Sequence, residues 1–247
     1  MVTDGQTGTR IDEVGNGIYR ISTPISAEAI PPHGFSFNRY LIHDDEPMLF
    51  HAGLRKMFPL TRDAIATVMP PEKLRYIGIS HMEADEVGAL NDLLAIAPHA
   101  EPVCGKIAAM VNIGDIADRQ PRALADGDTL ATGQRTWQWL GAPHMPHGWD
   151  AGYLFDTSGD ALLCGDLFTQ GGADTPPLTE SDILGPSEDF RKGMDYYSHT
   201  RNAPALMEKI AATEPRLLAC MHGSAWAGDG GALLRALGRE LEESETG

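Results

Sequence analysis

Cysteine is scarce: 247 residues contain three, Cys104, Cys164 and Cys220, far apart and without a CxxC pair. That spacing excludes a disulfide scaffold, a zinc ribbon and an iron–sulfur cluster, and it fits a reducing compartment, so a cytoplasmic protein is expected. Basic residues are also few. Nineteen Lys and Arg against thirty-five Asp and Glu leave a formal charge of −16, which repels a phosphate backbone and an anionic membrane surface. Neither nucleic acid nor a membrane is an expected partner. No eighteen apolar residues run together, and the N-terminus has no basic segment followed by an apolar one, which disfavours membrane spanning and secretion. Tandem repeats and low-complexity linkers are missing too. What is present is enough apolar material, 42% of the residues, to build one large core. The expectation is a single domain over residues 1–247, with 1–10 and 242–247 frayed.

Short β-like runs come first: Gly17 to Ser22, Phe37 to Ile42, and Met48 to Phe50. The last two flank the turn-forming Asp44-Asp45-Glu46-Pro47 and read as a hairpin near a sheet edge. Helical apolar spacing over Leu60 to Val68 stops at Pro70-Pro71, a strand is expected over Leu74 to Ser80, and a helix over Val87 to Ala97. Pro102 to Cys104 then reads as a strand leading into a helix at Lys106 to Val111. The second half restarts with β-runs at Arg135 to Leu140, Gly152 to Phe155 and Ala161 to Cys164. A helix over Asp189 to Thr213 with a break near Pro204, a strand over Arg216 to Cys220 and an amphipathic helix over Gly230 to Leu241 complete the chain. Two β-rich halves, each ending in β/α units, predict an α/β layered fold with two mixed sheets packed face to face and helices outside.

Ligand-type side chains gather at the strand ends. Ser80-His81-Met82-Glu83-Ala84-Asp85-Glu86 follows a buried strand and precedes a helix, so alternate residues His81, Glu83 and Asp85 can turn to one centre. Alone, this reads equally well as an acidic first helical turn. Three further segments shift the balance: Pro143 to Asp150 with His144 and His147, Cys164-Gly165-Asp166, and Cys220-Met221-His222-Gly223. Each sets a metal-ligand type just past an apolar strand, with glycine beside it where the chain turns closely. Met82, Met145 and Met221 lie within two residues of these positions, and core filling is the expected role for them rather than the lining of a gas pocket.

The order His81-x-Glu83-x-Asp85, His147, Asp166 nineteen residues on, and His222 followed by Gly223 and Trp226 resembles the diiron site of the flavodiiron proteins, members of the metallo-β-lactamase superfamily. Phe37 to Ile42 resembles that family's second hairpin, and Asp195-Tyr196-Tyr197-Ser198-His199 its Tyr-Tyr segment. The resemblance implies an αββα metallo-β-lactamase-like sandwich in which His81, Glu83 and His147 hold one iron, Asp85 and His222 the other, and Asp166 bridges. Hydrolases of the superfamily show His-x-His-x-Asp-His, and Glu83 stands where their second His would be. A carboxylate there makes the site harder and favours iron over zinc, which remains the alternative metal. Where many relatives have His after the motif's Asp, this chain has Glu86, read here as a helix-start acid rather than a further ligand. His51 occupies the place of a buried Asp in hydrolytic relatives. Tyr197 is assigned as a phenolic proton donor with Tyr196 as packing, and His144 as a second donor.

By resemblance the ligand is O2 or NO. No Gly-rich phosphate loop or flavin-binding β/α unit follows Leu241, so no FMN domain is expected in this chain. Two ferrous ions alone cannot complete a four-electron reduction of O2, so electrons are expected from a separate flavoprotein or a rubredoxin-like donor. The alternatives are an O2 sensor without sustained turnover and a binuclear hydrolase of esters, thioesters or lactones. A homodimer is a further expectation from the resemblance.

Overall fold

The structure is a computed structural model that describes residues 1–246, with only the backbone described for 244–246. Among the described residues there are two seven-stranded sheets. The first runs in chain order: β1 (Arg10–Gly15), β2 (Ile18–Ile25), β3 (Phe35–Ile42), β4 (Met48–Phe50), β5 (Tyr76–Gly78), β6 (Glu101–Gly105) and β7 (Arg122–Leu124). Its first four strands are antiparallel, and β4 to β7 are parallel. The second contains β8 (Thr129–Ala131), β9 (Thr136–Gly141), β10 (Gly152–Asp156), β11 (Ala161–Leu163), β12 (Leu178–Thr179), β13 (Leu217–Ala219) and β14 (Ala225–Ala227). They are ordered β12-β14-β13-β11-β10-β9-β8, with β11 parallel to β13.

Strand side chains alternate faces, and here both faces are covered. Tyr40, Ile42, Met48, Phe50, Leu163 and Ala219 meet in the core between the sheets. Their neighbours Leu41, Leu49 and Ile77 turn outward beneath α1 (Phe58–Ala66) and α3 (Leu90–Ile96), where Ile65, Leu90, Leu93 and Leu94 pack on them. On the other side Leu162 and Leu218 meet Met207 of α7 (Ala203–Ala211) and Leu234 and Leu237 of α8 (Gly230–Thr246). Three apolar layers between four structural ones give the expected helix–sheet–sheet–helix order.

Several local expectations are corrected. Residues 1–10 are tied down: the Met1 ammonium donates to the Ile11 carbonyl at 2.7 Å and to Asp12 at 2.6 Å, and Val2 bridges to Arg10. The β3–β4 hairpin forms, with Tyr40 opposite Phe50, but β4 is the middle strand because the parallel β5 to β7 extend the sheet beyond it. The helix expected over Asp189 to Thr213 is two helices. The first, α6 (Leu184–Met194), ends at Asp195 in the left-handed region (φ 49°), and Pro204 lies in the first turn of α7. Proline, lacking an N–H, opens this helix rather than breaking one. The last helix continues to Thr246 through the expected fray, and Gly247 lies outside the described residues.

Candidate metal centre

The four ligand-bearing segments meet at one end of the two sheets. Ile79 and Ser80 continue the buried path of β5, after which Glu83, in extended conformation (φ −144°, ψ 163°), precedes the short α2 (Ala84–Val87). His147 lies in the loop between β9 and β10, closed by the His144 N–H donating to the Gly148 carbonyl at 2.8 Å. Asp166 follows β11, and His222 lies between β13 and β14. Glycine is required beside two of them. Gly165 has φ +48° and Gly223 φ +86°, and a Cβ on Gly223 would come within 2.6 Å of Gln170.

Two donor groups result. In the first, the Nε2 atoms of His81 and His147 stand 3.0 Å apart, and Glu83 Oε2 is 3.2 Å from one and 2.8 Å from the other. Asp166 Oδ2 lies 3.5 Å and 3.4 Å from the same two nitrogens. In the second, His222 Nε2 is 3.3 Å from Asp85 Oδ2 and 3.6 Å from Asp166 Oδ1. One carboxylate, Asp166, thus offers an oxygen to each group, and its Oδ1 is buried without a hydrogen-bond partner.

The imidazoles are oriented from behind. His147 Nδ1 donates to the Tyr196 carbonyl at 3.0 Å and His222 Nδ1 to the Ser36 carbonyl at 2.8 Å, which turns each Nε2 inward. His81 Nδ1 is 2.9 Å from Ser80 Oγ, which in turn is 2.8 Å from His51 Nε2. With Ser80 accepting from His81 and donating to His51, His81 Nε2 is likewise the nitrogen turned to the centre. Three inward Nε2 atoms with oxygen donors between them are a chemistry that suits a borderline transition metal such as iron or zinc, which would take the place of their protons.

The electrostatics follow from this crowding. In the metal-free protein the inward nitrogens of His147 and His81 act as hydrogen-bond donors to Glu83 and hold its carboxyl down at about 2. Burial alone would lower His222, but its bonds to Asp166 and Asp85 outweigh it and raise the imidazole to about 10. Burial likewise opposes the rise of His147, which Glu83 and Asp166 bring about. His51, fully enclosed, is pushed down to about 3 by burial.

Rings line the approach. Phe35 stacks on His222 at 4.3 Å between centroids, Phe190 on Phe35 at 5.4 Å, and Tyr196 meets both Phe190 and His147 edge-on at 5.8 and 5.9 Å. Glu83 is 48% exposed and His147 26%, so the centre opens to solvent on their side.

The structure brings His81, Glu83, Asp85, His147, Asp166 and His222 together, and it changes the reading of their neighbours. Glu86 is not a solvated helix-start acid: it is fully buried. Tyr196, not Tyr197, borders the centre, its hydroxyl donating to the Asp166 carbonyl at 3.2 Å. Tyr197 is buried among Tyr196, Arg191 and the helical core, and its hydroxyl has no partner. His144 is exposed, with no side-chain hydrogen bond among the described residues. Met145 and Met221 are core residues as expected, with Met221 Sδ 3.0 Å from His51 Nδ1, whereas Met82 is 40% exposed. Sequence reasoning missed Ser80, Ser36 and Asp150. Asp150 Oδ2 accepts from the Met82 N–H at 3.1 Å and from Asn112 at 2.9 Å, tying the two ligand loops together. Ser80, between a buried strand and a ligand, carried a readable signal; Ser36 carried none.

Comparison with known proteins gives three kinds of match. The family described as ODP family beta lactamase matches residues 35–223. Rubredoxin-oxygen oxidoreductase of Megalodesulfovibrio gigas is 25% identical over 208 residues, 81% of this chain and 51% of that protein. Nitric oxide reductase of Moorella thermoacetica is 24% identical over 223 residues, 85% of this chain and 54% of that protein. The diflavin flavoprotein A 1 of Synechocystis matches over 55% of this chain and 24% of its own length, so the chain spans from about a quarter to about half of these relatives. Among solved structures, the flavodiiron protein from Giardia intestinalis has a TM-score of 0.77 at 20% identity, over 95% of this chain and 60% of that one, a likeness of fold.

Proposed function

The chain belongs to the ODP family beta lactamase group, and from that premise we propose that it holds a non-haem diiron centre that binds and reduces O2 or NO with electrons from a separate donor. The observation that carries this reading is Asp166, whose two oxygens face two different donor groups. In this reading His81, Glu83 and His147 hold one ion, Asp85 and His222 the other, and Asp166 both. When bound, two such ions supply adjacent electron sources and Lewis acids for one diatomic ligand.

The protein's own residues do the rest. Backbone carbonyls of Tyr196 and Ser36 and the Ser80 hydroxyl fix the imidazole tautomers. The rim of Phe35, Phe190 and Tyr196 gives a small uncharged molecule an apolar approach. Glu83 between His81 and His147 supports iron over the zinc of a hydrolase, because an ionised carboxylate is the harder donor. The names of the Megalodesulfovibrio and Moorella relatives support O2 or NO as substrate and a rubredoxin-like donor, and that of the Synechocystis relative supports a flavin-bearing one.

The test joins metal quantification to absorption spectra of the reduced protein before and after exposure to O2. Two irons per chain and an O2-dependent band are expected; tightly held zinc with ester hydrolysis would overturn the reading. Steady-state consumption of O2 and NO with an artificial electron donor then separates a reductase from a sensor, since a sensor binds without sustained consumption.

A further inference from the structure

Glu86 is a carboxylate beside the centre to which the proposed function gives no role. It is 0% exposed, and neither Oε1 nor Oε2 has a hydrogen-bond partner. Buried carboxylates are ordinarily paired with a cation or held by several N–H donors, because an ion removed from water otherwise loses its solvation without replacement. Glu86 has neither. A ligand-capable oxygen of Glu86 lies within 4.8 Å of those of Glu83 and Asp85. Asp85 in turn stands against His222, and Asp166 Oδ1, the other buried oxygen of the centre without a partner, faces the same imidazole. Among the described residues the ion-pair partners of Glu83, Asp85 and Asp166 are imidazoles, with no Lys or Arg among them.

We propose that Glu86 is a ligand to the same ion as Asp85 and His222, an assignment that rests on the dinuclear reading above. The two metal positions are then unequal. One has two imidazoles with Glu83 and Asp166; the other has one imidazole with Asp85, Glu86 and Asp166. Three oxygen donors to one nitrogen make the second position the harder, suited to iron and manganese over zinc. The four carboxylates also carry the charge that two divalent cations neutralise, which accounts for an acid buried beside three others with no basic side chain.

The competing account is a neutral buried acid that shares its proton with Asp85 and serves packing alone. Metal titration separates the two. The full-length protein is stripped with a chelator and titrated with Mn(II) alone and with Zn(II) alone by calorimetry, with bound metal counted after desalting. Wild type is expected to take up two equivalents. Glu86→Gln, nearly the same shape without the charge, is expected to keep one tight equivalent and lose the second by about 10-fold or more. Glu86→His restores a donor at that place and is expected to regain the second equivalent, with the preference moved from Mn(II) towards Zn(II). Thermal denaturation of the stripped variants reports folding, and if Glu86→Gln does not fold, the Mn(II)-to-Zn(II) ratio of Glu86→His carries the test.

Two tight equivalents of unchanged affinity in Glu86→Gln, or an unchanged metal ratio in Glu86→His, would overturn the assignment while leaving the dinuclear reading intact. Fewer than two equivalents in wild type would overturn both.

Discussion

Replacing Ser80 by Ala tests whether the relay behind His81 holds the centre in shape. Ser80 is 1% exposed, and its hydroxyl is the partner of two buried ring nitrogens, His81 Nδ1 at 2.9 Å and His51 Nε2 at 2.8 Å. A buried polar group left without a partner costs about 1–3 kcal/mol, and this substitution leaves two, so a loss of roughly 2–6 kcal/mol in stability is expected. There is a second consequence. Without an acceptor on Nδ1, His81 is no longer committed to the tautomer whose Nε2 lone pair faces His147 and Glu83, and loss of such a partner typically lowers metal affinity about 10–100-fold. The assays are chemical denaturation of the metal-free protein and calorimetric titration with Fe(II) under anaerobic conditions. Reduced stability together with weakened uptake of one equivalent supports the relay. A variant as stable as wild type that binds both ions with unchanged affinity would refute it, and would mean that packing alone orients His81.

Three further outcomes are expected. In the metal-free protein His222 is raised to about 10 by Asp166 and Asp85 against the pull of burial, so its contribution to stability is complete below an unfolded value near 6.5 and is lost as the pH rises to about 10. Glu83, held at about 2, contributes above roughly pH 4.3 and is lost below it, weakly because it is half exposed, so the thermal midpoint should peak between about pH 4.5 and 6.5. Tyr196→Phe removes a hydrogen bond to the Asp166 carbonyl and should cost about 0.5–1.5 kcal/mol, whereas Tyr197→Phe removes a buried hydroxyl that has no partner and should be neutral or stabilising in the same denaturation assay. Glu83→His should move the metal found after growth with ample iron towards zinc; unchanged iron occupancy would count against the argument from donor hardness.

The six ligand-type residues could be read in advance because strand ends can be. An apolar run of period two marks where a strand lies, and a His or Asp just past it, with a glycine to turn the chain, marks where the strand delivers a side chain. The layered order was legible for a related reason: short runs such as Met48 to Phe50 and Ala161 to Leu163 are apolar at every position, which requires cover on both faces. What surrounds those residues was less legible. Glu86 and Asp85 are adjacent in sequence and equally acidic, yet Glu86 is fully buried and Asp85 only partly, a difference that depends on how α2 packs onto the sheet. Tyr196 and Tyr197 are likewise adjacent, and the left-handed turn at Asp195 places one against His147 and the other in the helical core.

The sequence by itself determined most of the strands and helices, the double cover of both sheets, and the identity and chain order of the ligand-type side chains, because these rest on local periodicity and residue chemistry. Only the tertiary structure decided that Asp166 faces two groups at once, that Ser80, Ser36 and Tyr196 hold the imidazoles from behind, and that Glu86 is enclosed. Those facts depend on contacts between residues as far apart as Ser36 and His222, and no local pattern records which distant backbone carbonyl a ring nitrogen will meet.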